Sequence, residues 1–269
     1  MLQFIFSMYR KLFAREGFIK FNRFLYNCSI RGLGVYNYEN MNVSGENSFI
    51  NSYIKEDSLK NNDYIVFDIG ANKGDYSKLI LQSIPNAKIF SFEPHPVTFK
   101  ILSDNCLKLN GIKLFNCALS SEKGFLELYD YKSKDGSSHA SLSSEIFTTV
   151  HNAEIVSHKV DVSTIDTICK EHSIEKIDFL KIDVEGYELD VLKGSKTLLQ
   201  NNKVKFIQFE FTQLNSTTRI FFKDFWELLS VKYKIYRLLP NGLLEIKRYD
   251  PTINEIFGYQ NFVAIHKEL

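Results

Sequence analysis

Residues 64–75 read Tyr64-Ile65-Val66-Phe67-Asp68-Ile69-Gly70-Ala71-Asn72-Lys73-Gly74-Asp75. The opening apolar run is short and stops at an acid and a glycine turn, which predicts a buried strand feeding a tight loop. Tyr76, Leu79, Ile80 and Ile84 then recur at helical spacing. The same alternation continues outward. Strands are expected at 88–92, 113–119, 178–183 and 204–211, with helices after each, at 99–109, 164–169, 188–199 and 220–229. Two extra strands, 125–130 and 155–162, flank a polar loop. Strand–helix alternation at this spacing means right-handed crossovers and a parallel sheet covered on both faces. The end differs: 234–239, 243–247 and 261–266 are strands with no long helix between them. The expected architecture is α/β, a doubly wound, mostly parallel seven-stranded sheet with an antiparallel terminal strand, preceded by N-terminal helices.

Composition sets the outer bounds. Of 269 residues, 44% are hydrophobic and 14% aromatic, with only five prolines, so the chain folds rather than staying swollen. With 33 basic against 32 acidic residues, nothing asks for nucleic acid. The charge is uneven, however. Residues 1–31 hold six basic side chains and one acid, a net +5, which leaves −4 for the rest. That split suggests a head, residues 1–60, and a body, residues 61–269. In the head, Leu2, Ile5, Phe6, Tyr9, Leu12 and Phe13 share one helical face, with Arg10, Lys11 and Arg15 turned away. Phe18, Phe21, Leu25 and Cys28 continue the pattern. Such a segment either lies on an anionic membrane through residues 1–25 or packs on the body or a second subunit of a homo-oligomer. Cys28, Cys106, Cys117 and Cys169 form no metal-ligand spacing and read as apolar fillers. No apolar run approaches the ~20 residues needed to span a bilayer. The expected location is the cytoplasm, including the inner face of its membrane.

The chemistry is expected just beyond the carboxyl ends of the strands. The loop Gly70-Ala71-Asn72-Lys73-Gly74 is neither the G-x-G-x-x-G of dinucleotide binders nor a P-loop. Asp68 before it would repel a pyrophosphate but suits a cationic amino group. Glu93 follows Asp68 by 25 residues, at the end of the next strand, where an acid accepts hydrogen bonds from both ribose hydroxyls. A ligand with a ribose, an amino acid part and no phosphate is S-adenosylmethionine. Small residues around Asn116 and Ala118 leave room for an adenine ring. Asp183, Glu185 and Glu210 emerge from apolar strands, where chance burial of acids is costly. Glu188 reads instead as a solvated acid in the first turn of a helix.

The segments FDIGANKGDYS (67–77), FSFEPHPVTFKIL (90–102), NCALSSEKG (116–124), VSTIDTI (162–168) and DFLKIDVEGYELDVLKG (178–194) resemble the FkbM-type methyltransferases. The resemblance runs from about residue 60 to 212. It implies a class I methyltransferase, Rossmann-like fold and, in many members, O-methylation of sugars or polyketides. It also implies cofactor contacts at Asp68, Gly70, Asn72, Gly74, Glu93, Asn116 and Asp183. Ala71, Pro94 and Ala118 complete the expected cofactor set.

Methyl transfer to a hydroxyl needs in-line alignment and a base. Asp183, Glu185, Glu210 and His139, the last in the polar loop 134–141, are the candidates. A metal-assisted alternative has Asp183 and Glu210 holding a Mg²⁺. The expected activity is O-methylation of a sugar or glycan, such as a surface polysaccharide or its precursor. The alternatives are a non-sugar acceptor such as a polyketide, or a protein that binds the cofactor without transferring from it.

Overall fold

Two strands carry the expected motifs into the middle of the fold, and the rest of the sheet grows from them. The computed structural model describes residues 1–131, 136 and 154–268. Its strands are β1 (Tyr64–Ile69), β2 (Ala87–Phe92), β3 (Ile112–Phe115), β4 (Ala118–Leu119), β5 (Gly124–Tyr131) and β6 (Ile155–Ser163). They continue with β7 (Ile177–Ile182), β8 (Val204–Phe211), β9 (Tyr233–Leu239), β10 (Gly242–Ile246) and β11 (Gln260–His266). The main sheet has the order β10-β9-β11-β8-β7-β1-β2-β3. β1 runs parallel to β2 and to β7, and β7 parallel to β8. β11 inserts antiparallel between β8 and β9. This is a mixed α/β, doubly wound Rossmann-like fold.

The sheet has eight strands rather than seven, and the expected strand 243–247 takes its edge as β10, antiparallel to β9. The predicted strand 113–119 also splits in two. Asn116 turns the chain, its side-chain amide donating to the carbonyls of Glu93 (2.8 Å) and Pro94 (3.0 Å). β4 then pairs with β6 in a separate three-stranded sheet, order β4-β6-β5.

Period-two alternation along the central strands feeds two apolar layers. Phe67, Ile69, Leu180, Ile182 and Phe209 face one layer, closed by the helix Phe222–Leu229, whose Phe225 ring stacks on Phe209 at 4.6 Å. Val66, Phe179 and Phe206 face the other. That second layer is closed by Phe49, Ile50 and Ile54. Residues 46–58, grouped with the head by the sequence, therefore belong to the core of the body, held there by the burial of three large side chains. The two helices before them, Leu2–Phe13 and Ile19–Gly32, bury only Ile30 between them.

Candidate active site

The order of the sheet reverses at β1, with β2 on one side and β7 on the other, and the loops leaving these three strands meet there. The Gly70–Gly74 loop is clamped by backbone bonds: Gly70 N–H and Ala71 N–H both donate to Phe92 O, and Asp183 N–H donates to Ile69 O. Gly70 has φ +77°, and a Cβ there would lie 1.7 Å from the carbonyl oxygen of Asp183, so only glycine lets the loop sit against the end of β7. Gly74, at φ +86°, starts the helix Asp75–Ser83.

Glu93 is buried at the end of β2. One carboxylate oxygen accepts from Asn72 N–H and the other from His95 N–H, each at 2.9 Å. Burial pushes its carboxyl up to about 7, although these two N–H groups and Lys181 pull it down. Each oxygen keeps a further acceptor site, so the pair can still take two hydroxyl donors.

Asp68, at the end of β1, lies inside the protein. It is fully enclosed, accepts from Ser77 Oγ at 2.6 Å and lies 3.5 Å from Lys181 Nζ. The cause is register: Asp68 points to the same side of β1 as Tyr64 and Val66, beneath the helix Asp75–Ser83. Asp183 is the more exposed of the two acids, with its side chain 39% accessible and its carboxylate 3.2 Å from Lys181 Nζ.

Lys181 was not singled out from the sequence, yet it links the site together. Its ammonium also donates to Gly70 O at 3.3 Å. Burial alone would lower its pKa, but Asp183, Asp68 and Glu46 outweigh that and raise it, so it stays charged. A buried network continues from there. Tyr76 donates to Gln208 (2.6 Å), whose amide donates to Glu46 (3.0 Å), which also accepts from Ser44 (2.7 Å). The available signal was polarity out of place: Lys181 and Gln208 lie within largely apolar strands.

Beyond β7 the backbone turns sharply, with Glu185 at φ +55° and Gly186 at φ +97°. A left-handed glutamate is uncommon and costs about 1–2 kcal/mol. Glu188 holds this turn: its carboxylate accepts from Val184 N–H (3.1 Å) and Gly186 N–H (3.0 Å). It is buried, not solvated as expected, because the chain folds back over the start of the helix Glu188–Lys193. Burial pushes Glu188 up to about 7 and Glu185 up to about 8, the latter helped by Asp183 and Glu188. Glu210, near the end of β8, is raised well above the ordinary carboxylate range by burial, then by Asp183, Glu185 and Glu188. The structure brings Glu185 and Glu210 close enough to Asp183 that its charge helps to raise both. His139 lies outside the described residues. Among the described residues, no three His, Cys, Asp or Glu side chains are placed together to hold a metal ion.

The family model for the Methyltransferase FkbM domain matches residues 68–238, more than half of the chain. The chain belongs to the FkbM methyltransferase family. The matched range contains the end of β1, all of β7 and β8, and every site residue above except Glu46 and Ser44. Methyltransferase sdnD of Sordaria araneosa is 33% identical over 163 residues, covering 51% of this chain and 62% of that protein. The 2-O-methyltransferase NoeI of Sinorhizobium fredii is 29% identical over 161 residues, covering 57% of this chain and 65% of that protein. The chain thus spans less than two thirds of the length of these relatives. Among solved structures, the METTL16 MTase domain is similar at a TM-score of 0.45 and 13% identity, covering 83% of this chain and 68% of that one.

Proposed function

We propose that this FkbM protein transfers a methyl group from S-adenosylmethionine to a hydroxyl of a sugar or glycan. The observation that carries the reading is the placement of Glu93 and the Asp183–Glu185 turn on opposite sides of the Gly70–Gly74 loop, at the switch point of the sheet. The donor set fits the cofactor: a buried carboxylate with acceptor sites left for a ribose diol, a half-exposed Asp183 for an ammonium, and no P-loop for phosphates. When bound, the cofactor supplies an electrophilic methyl on a sulfonium. The loop and Glu93 hold their ligand by geometry already built into the backbone, and positioning of this kind supplies ~7–11 kcal/mol toward an in-line displacement.

Glu185 is the group best suited to take the proton of the acceptor. A carboxyl near 8 is a far stronger base than an ordinary glutamate, and a base matched to the working pH contributes roughly 10²–10⁴-fold. Glu210, raised well above the ordinary carboxylate range by burial, is suited to donate a hydrogen bond to the acceptor rather than to act as the base.

A cavity of about 300 Å³ beside this turn is lined by Ser120, Leu126, Glu127, Tyr129, Tyr187 and Asp190. Two tyrosines and two carboxylates suit a ring carrying several hydroxyls better than an apolar polyketide, and the volume suits a small sugar. The name of the relative NoeI supports O-methylation. Incubating the protein with S-adenosylmethionine and a panel of free, nucleotide-linked and polymeric sugars should yield S-adenosylhomocysteine and a methylated sugar by mass spectrometry. Methylation of apolar alcohols alone would sink the sugar assignment. Tight NAD binding without S-adenosylmethionine binding in calorimetry would sink the whole reading.

A further inference from the structure

The helix Leu2–Phe13 buries none of its side chains, and the helix Ile19–Gly32 buries only Ile30. Packing against the rest of the chain is therefore not what the apolar residues of this segment are for. Phe4 is 71% and Phe24 63% exposed, and they are not isolated. On the first helix, Leu2, Phe4, Ile5, Phe6, Met8 and Leu12 fall within one broad arc, while Gln3, Ser7, Arg10 and Lys11 occupy the opposite one. The second helix puts Phe21, Phe24, Leu25 and Cys28 on one side. The two helices act together. The ring of Phe13 meets Tyr9 at 5.0 Å, Phe18 at 5.1 Å and Phe21 at 5.7 Å, and Asn22 donates to Phe13 O at 2.9 Å. Soluble monomers rarely leave an apolar surface of this extent open to water.

Charge decides what covers it. The same 31 residues carry six cations (Arg10, Lys11, Arg15, Lys20, Arg23 and Arg31) and one anion, Glu16. Pairing two such heads across a symmetric dimer would set +5 against +5. An anionic lipid surface offers both terms at once: headgroups for the cations and acyl chains for the phenylalanines. Among the described residues no helix is long and apolar enough to cross a membrane, so the segment lies on the surface. We propose that residues 2–32 form a two-helix platform that rests in the interface of an anionic bilayer. It holds the FkbM domain beside acceptors presented at that surface.

The test uses the full chain and vesicles of phosphatidylcholine with or without phosphatidylglycerol. The protein should float with the anionic vesicles and much less with the neutral ones, and high salt should release a large part of it. Arg10→Glu with Lys11→Glu should weaken partition by about tenfold or more, and Phe4→Glu with Phe24→Glu should abolish it. Because these side chains are exposed, circular dichroism and melting of the variants should match the parent. Failure to float with anionic vesicles would overturn the proposal, as would flotation unaffected by both pairs of substitutions. So would a dimer, seen by sedimentation without lipid binding, that the phenylalanine pair dissolves: a second copy would then cover the face.

Discussion

Lys181 shows how a single buried cation organises this site. It faces Asp68 at 3.5 Å and Asp183 at 3.2 Å, and removing it would strand a fully enclosed carboxylate. Lys181→Met should destabilise the fold by about 3–5 kcal/mol in urea titrations, and adding Asp68→Asn should recover most of that loss. A cost near zero for the single change would show that the pair is not coupled. Glu93 gives a second prediction, at the cofactor. Its carboxyl near 7 must be ionised to accept a ribose diol with full strength, so affinity for S-adenosylmethionine should fall as pH drops below about 7. Glu93→Gln should weaken binding by about tenfold or more and flatten that pH dependence in calorimetry. Glu93 and Asp183 were legible in the sequence because strand ends can be counted along the chain. Gln208 and Glu46 were not, because they lie 162 residues apart, and Lys181 was not, because its link to Asp68 joins two strands far apart in the chain.

The turn between β7 and the helix Glu188–Lys193 combines strain with support. Glu185 is held left-handed while Glu188 accepts from two backbone N–H groups on either side of it. Strain that persists because neighbours enforce it is a mark of a working site. Glu185→Asn separates the two roles, since asparagine tolerates the left-handed conformation and carries no base. Stability should hold or rise by up to about 1 kcal/mol, while turnover falls by about 10²–10⁴-fold. Retained turnover would move the base to Asp183. Glu188→Ala should act the other way. Losing the acceptor for Val184 and Gly186 should cost about 2–3 kcal/mol, whereas Glu188→Gln, which keeps an oxygen, should cost much less. The sequence pattern located this element but misread Glu188, because a first-turn acid looks the same whether the chain folds back over it or not. The splitting of 113–119 escaped for a similar reason: the side chain of Asn116 breaks the strand by binding carbonyls beyond β2, which no local pattern reveals.

Across the whole molecule five glutamates, Glu46, Glu93, Glu185, Glu188 and Glu210, are shifted in one direction. Burial raises Glu93 to about 7, Glu188 to about 7 and Glu185 to about 8, and it also raises Glu46 and Glu210. In the unfolded chain each would release its proton near 4.3. Between that pH and about 8 the native state therefore binds more protons than the unfolded state, and stability must fall as pH rises through this window. The effect is complete below the unfolded values and is lost as the folded groups ionise. A drop of roughly 2–5 kcal/mol between pH 5 and pH 8.5 is expected, less than the separate groups would suggest because Glu185 and Glu188 help to raise Glu210. Urea midpoints measured across this range, at constant slope, give the curve. Glu210→Gln should raise the midpoint at pH 8.5 and leave it nearly unchanged at pH 5, since the parent is already neutral there. S-adenosylmethionine should oppose the trend at Glu93 alone, favouring its ionised form. A stability that instead rose from pH 5 to pH 8.5 would mean these carboxylates are ionised and paired in the folded protein. Such a result would remove the physical basis for Glu185 as the base.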